Sequence, residues 1–319
     1  MKKILFFFFL IHVSTQSQDF TTVDAVVENY PRFSKVEDLA SKIAKDFTSN
    51  KDKVRAAFVW LAKNIRYNLD EYHGLTRQTI SFSYSTEEDK KQKLQEIKDN
   101  IVAKTFLTKQ GVCEEYAQSF TKICDLLGIE SEVIKGYVRN DASEIGEIPN
   151  STNHAWNGVK LHNKWIILDV TWAAGYAYNG RWVRAFNNYF YTIPKEKIFN
   201  THFPDKKIWA LHFGSMSLNE FYNQPIYGNS FLSSKTELIS PKKGIINVES
   251  LENIELKFKN LFENSLIFYA FRGERLAQKP IIKKENNTSI LTIKNPKRNT
   301  ELVLYINKED ALHFKINVL

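Results

Sequence analysis

Two short alternating segments, Asn153–Leu161 and Lys164–Thr171, flank the pair His162–Asn163, the signature of a β-hairpin closed by a two-residue turn. Such a turn fixes the register: paired positions sum to an odd number, so His154 lies opposite Thr171. Asp169 then shares a sheet face with His154, one diagonal step away. Diagonal neighbours lie about 7–8 Å apart, within reach of an imidazole and a carboxylate that lean together. A loop of odd length would separate them onto opposite faces.

A thiol precedes the hairpin. Gly111 breaks the chain just before Cys113, and Tyr116, Phe120, Ile123, Cys124 and Leu127 then follow at steps of three and four. That spacing predicts a core-facing helix from Cys113 to Leu127, ended by Gly128 in a left-handed cap. A cysteine at a helix start faces unpaired N–H groups and the positive end of the dipole. Both favour a thiolate, and the N–H groups can donate to an oxyanion. A thiol, an imidazole and a carboxylate, met in that order, are the parts of acyl transfer through a thioester. Each also has a plain structural reading: a small buried apolar residue for Cys113, a partly buried strand residue for His154, a turn cap for Asp169. Cys113, His154 and Asp169 could alternatively ligate a metal, but they lack the close ligand pairs of zinc sites; neither metal nor cofactor is expected.

At 319 residues, with 43% apolar and 13% aromatic residues, the chain can bury one large core or two moderate ones. Lys2 and Lys3, the apolar run Ile4 to Val13 and the small-polar Ser14 to Gln18 predict a secretory signal peptide over 1–17, cut after Ser17. The run is about half the ~20 residues that span a bilayer, so a soluble exported protein, periplasmic or secreted, is expected. Net charge is +8, or +6 without Lys2 and Lys3. Its basic residues alternate with acidic ones, as in KVEDLASKIAKD, so no nucleic-acid stripe is expected. Cys124, eleven residues along the same helix and about 16 Å from Cys113, is too far for a disulfide and reads as core.

Helices are predicted over 35–48, 50–66 (capped by Ser49 or Asn50) and from Thr86 to Lys104, with a strand over 131–138. Residues 173–240 are aromatic and irregular. From about Ile245, the alternating segments IELKFKN, SLIFYAFRG, SILTIKN, ELVLYIN and LHFKINVL predict a small antiparallel β-sandwich.

In combination, GVCEEYA, HAWNGVKL, WIILDVTW, the upstream AAFVWLAKNIRYN and the later NNYFYTIPKEKIFNTHFP resemble the transglutaminase-like superfamily, in the branch that includes the kyphoscoliosis peptidase. The likeness covers roughly 35–240. It implies an α+β fold: a papain-like core of helices on an antiparallel sheet over 18–240, then an immunoglobulin-like sandwich over 241–319. It also implies Cys113 as nucleophile, His154 as general base and Asp169 as the acid that orients it, acting on amide bonds of a protein or peptide substrate. Hydrolysis is expected ahead of crosslinking. The alternative is a catalytically silent scaffold for a protein or cell-wall partner. Where such proteins usually carry a small residue two positions after the cysteine, this chain has Glu115, whose carboxylate would oppose a thiolate if it faced the sulfur. Gln110 and Trp60 are candidates for a second oxyanion donor.

Overall fold

The computed structural model describes residues 20–74 and 82–319, so the expected signal peptide at 1–17 lies outside the described residues. The first unit packs helices against a four-stranded antiparallel sheet, whose strands run Lys164–Leu168, His154–Leu161, Ser131–Val138 and His202–Pro204 in spatial order. Its helices differ in how much they bury. Val36–Asp46 turns Val36, Leu39, Ala40 and Ile43 inward. Asn50–Asn64 is capped by the Ser49 hydroxyl, which accepts from the Asp52 N–H, and is buried almost all round. Glu87–Thr108 is solvated except at Val102, Thr105 and Phe106, and Phe106 stacks on Trp60 with ring centroids 5.3 Å apart. An additional helix, Thr21–Glu28, packs on Asn50–Asn64. TTVDAVVE is short and has no side-chain cap at its start, so little in the local sequence signals a helix there.

The hairpin forms as expected. Leu161 pairs with Lys164 and Asn157 with Leu168, while His162 and Asn163 take φ of 49° and 61°, the left-handed pair that a two-residue turn needs. The strand stops at Leu168, however. Asp169, read as a strand residue, is instead the N-cap of a short helix, Val170–Ala174, and its Oδ1 accepts the Trp172 N–H at 3.0 Å. Asp-Val-Thr-Trp is as good a helix start as a strand, and the cap hydrogen bond decides between them.

In the second unit, two sheets face each other around Leu256, Phe258, Leu291, Leu304 and Phe314. One runs Glu237–Ser240, Ile254–Lys259, Thr288–Ile293, Ile281–Glu285. The other runs Ile245–Val248, Glu309–Val318, Thr300–Ile306, Ile267–Phe271, with Ile245–Val248 parallel to Glu309–Val318. Every second residue of Ile254–Lys259 is buried, as its alternating text requires. The expected boundary after residue 240 falls at the end of a strand that pairs inside the sandwich. Lys315 joins the two units by donating to the Ser143 and Ile145 carbonyls. No helix among the described residues is long and apolar enough to cross a membrane.

Candidate active site

Cys113 is the first residue of the helix Cys113–Leu126 and is half-buried. A short parallel pair, Arg66–Tyr67 with Gln110–Gly111, delivers the chain to that helix start. Two residues there depend on each other. Glu115 folds back so that its carboxylate accepts the Val112 N–H at 2.9 Å, and a Cβ on Gly111 would sit 2.4 Å from the Glu115 Cβ. Gly111 is therefore required by close approach, and Glu115 is a helix cap. Burial, with help from Glu71 and Glu114, pushes the Glu115 carboxyl above the usual range. Glu114 is engaged with Lys135 at 3.0 Å. Cys124 is sealed in the core, and burial pushes its thiol up to about 12.

His154 opens its strand. Asn153 fixes the approach through a two-way bond with Val138, its Oδ1 accepting the Val138 N–H and its Nδ2 donating to the Val138 carbonyl, both at 2.9 Å. The His154 Nε2 lies 2.6 Å from Asp169 Oδ2. Cys113 lies close enough to act on the same ring, and with Nε2 committed to Asp169 the ring nitrogen left for it is Nδ1. Burial would lower the affinity of His154 for its proton, yet Asp169 first and Cys113 second outweigh it and hold the ring up to about 10. Asp169 is likewise penalised by burial, but His154 and then His202 keep its carboxyl well below the ordinary range. The structure thus brings together all three residues singled out in the sequence.

It adds a fourth. His202, completely buried, places its Nε2 3.0 Å from the same Oδ2 of Asp169, while its Nδ1 lies 2.7 Å from the Thr201 hydroxyl. The central strand explains the meeting: Gly136 pairs with His154 and Val138 with His202. Positions 136 and 138 share a face, so the two histidines flank it on the same side. Gly136 tolerates no side chain, since a Cβ would lie 2.2 Å from the Phe203 carbonyl. Trp156 and Trp172 wall the pair, each with its ring centroid 4.9 Å from that of His202. No local pattern in the sequence singles out His202, because its register with 136–138 is a long-range fact.

His154, Asp169 and His202 offer three ligand atoms within 4.8 Å of one another, close enough to share a metal ion. Hydrogen bonds among those same atoms, at 2.6 and 3.0 Å, already account for the closeness. Of the second-donor candidates, Trp60 is corrected: its indole N–H donates to the Pro31 carbonyl at 3.1 Å and the ring is wholly buried. Gln110 is exposed three residues before Cys113. Tyr67, not foreseen, sits in the same strand pair; burial first, and the neighbouring Cys113 second, push its phenol up.

Chemically, a thiol beside an imidazole that a buried carboxylate orients can store and return a proton at a carbonyl centre. Residues 37–170 match the sequence profile of the transglutaminase-like superfamily. Kyphoscoliosis peptidase of Homo sapiens is 23% identical over 237 residues, covering 73% of this chain and 33% of that protein. The protein of the same name from Mus musculus is 22% identical over 313 residues, covering 94% and 44%. Hillarin of Drosophila melanogaster is 27% identical over 133 residues, 37% and 16%. The chain therefore spans less than half the length of these relatives. With the Cys, His and Asp motifs in order on a helix start, a strand start and a helix cap, residues 37–170 form a transglutaminase-like domain, and the chain is similar to the kyphoscoliosis peptidases.

Proposed function

We propose that this protein is a thiol enzyme that hydrolyses amide bonds of proteins or peptides through a thioester on Cys113. The observation that carries the reading is the His154 ring, held at Nε2 by Asp169 at 2.6 Å with Cys113 close enough to act on it. Cys113 passes its proton to His154 and the sulfur attacks the amide carbon. The oxyanion is met by backbone N–H groups at the start of Cys113–Leu126, left free by helix geometry. His154 gives its proton to the leaving amine as the C–N bond breaks. Water then attacks the thioester, His154 takes its proton, and collapse releases the acid and the thiol. Asp169 keeps the imidazole in one tautomer throughout.

Water as the second nucleophile is supported by the likeness to proteins named peptidases. An amine in its place would make the same intermediate a crosslinking step. The test is incubation with a mixed peptide library and a labelled amine, read by mass. Cleaved peptides are expected; amine adducts would replace hydrolysis with transfer, and neither product would leave the scaffold reading. Export through a 1–17 leader is part of the proposal, and N-terminal sequencing of the mature protein should begin at Gln18.

A further inference from the structure

Asp169 is asked to remain an anion with no solvent around it. Its side chain is almost wholly enclosed, and burial alone would raise its carboxyl. Oδ1 is occupied by the Trp172 N–H of its own helix cap. Oδ2 meets two imidazoles, and their claims on it differ. His154 also faces the Cys113 thiol, so it must exchange protons. His202 faces Thr201, Trp156, Trp172, Phe190 and His154, and the titratable groups acting on it are Asp169 and His154. Two imidazolium ions on one carboxylate would leave a net positive charge sealed in the core, which is costly. The proton therefore settles on His154, and burial holds His202 below the ordinary histidine range. A neutral ring next to an acceptor-only carboxylate must carry its hydrogen on Nε2. The Thr201 hydroxyl, 2.7 Å from Nδ1, then donates to the bare nitrogen and fixes that tautomer.

We propose that His202 is a positioning residue for the chemistry at Cys113: as a neutral donor locked by Thr201, it keeps Asp169 ionised and fixed so that the carboxylate can orient His154. This rests on the thiol reading of the site and adds a role for the Thr201–His202 pair. The role is to supply a permanent hydrogen bond where water cannot, so the catalytic carboxylate survives burial and stays charged on the acid side of neutrality. A second histidine does this without taking the proton that His154 needs.

The test is the pH profile of Cys113 alkylation by iodoacetamide in the full chain, followed by mass, with Cys124 as an internal buried control. His202→Phe keeps the volume and loses the donor. Loss of a hydrogen bond to a charged group is expected to slow labelling at neutral pH about tenfold or more and to move the acid limb up by about one to two pH units. His202→Gln, whose amide can reach the Nε2 position, should restore the wild-type limb and a rate within about threefold. If the Phe variant does not fold, His202→Asn replaces it, being polar but too short to reach. A lowered melting temperature with an unmoved limb in the donor-less variant, or a limb that moves equally in the Gln variant, overturns the proposal. His154→Ala run in parallel separates the two levels: labelling insensitive to His154 defeats the thiol reading, whereas sensitivity to His154 without sensitivity to His202 defeats this inference alone.

Discussion

Between its two sheets the sandwich buries Leu256, Phe258, Leu291 and Phe314, residues that ask nothing of their surroundings but volume. The sheet of the first unit buries His154, Asp169 and His202 side by side, each of which would be costly there without the others. Both regions are built on mostly antiparallel sheets, and both bury their inner faces. They differ in what enclosure achieves. In one it stabilises, through apolar area; in the other it sharpens electrostatics, because a carboxylate shielded from water binds an imidazolium more strongly. Substitutions should therefore separate cleanly, with stability moving in the sandwich and reactivity moving in the first unit.

The largest expected effect is Cys113→Ala, which should reduce turnover about a thousandfold or more while leaving the melting temperature near wild type. Activity that survives it would place the chemistry elsewhere. Asp169→Asn comes next. An asparagine can still cap Val170–Ala174 but cannot hold the imidazolium, so steady-state rates should fall by roughly 10²–10⁴ with little loss of secondary structure by circular dichroism. Phe314→Ala reverses the pattern: about 3–5 kcal/mol of stability lost in denaturant titration, with the Cys113 labelling rate of the folded protein unchanged.

Smaller effects sharpen the contrast. The His154 ring rises from 6.5 in the reference state to about 10 on folding, so the stability it contributes is complete below about pH 6.5 and is lost as pH climbs toward 10. His154→Gln should lack that alkaline decline in melting temperature, and no substitution at Phe258 or Leu291 should alter it. Asp169, lowered on folding, contributes above its unfolded value of 3.8 and loses that contribution only in stronger acid. Smallest of all, Glu115→Ala removes a cap and should cost about 1 kcal/mol while leaving labelling within about twofold. A large gain in labelling would instead mean that Glu115 restrains the thiol directly.

The same contrast governs what could be read from the chain. Alternation made five sandwich strands legible, while the short Glu237–Ser240, Ile245–Val248 and Ile281–Glu285 carry too little pattern to read, and the two-residue turn at His162–Asn163 fixed the hairpin register without any tertiary information. The Cys113 helix was legible from its stripe and from Gly128, whose φ of 70° is the left-handed cap expected. What escaped was non-local. His202 reaches the site only because 202–204 pairs with 136–138 across some sixty intervening residues, and no local pattern encodes that register. Asp169 reads as a strand residue in the sequence but caps a helix, because a carboxylate capping a five-residue helix leaves little periodicity to detect. Trp60 looked free to donate until its Pro31 partner, brought in by the preceding loop, was seen.

The central claim is that Cys113 and His154 act as one proton-sharing pair. Its most direct test is the rate of Cys113 alkylation at neutral pH in the wild type and in His154→Ala. The account predicts fast labelling in the wild type, a drop of about tenfold or more in the variant, and no labelling of Cys124 in either. Equal, slow labelling of Cys113 in both proteins would contradict it.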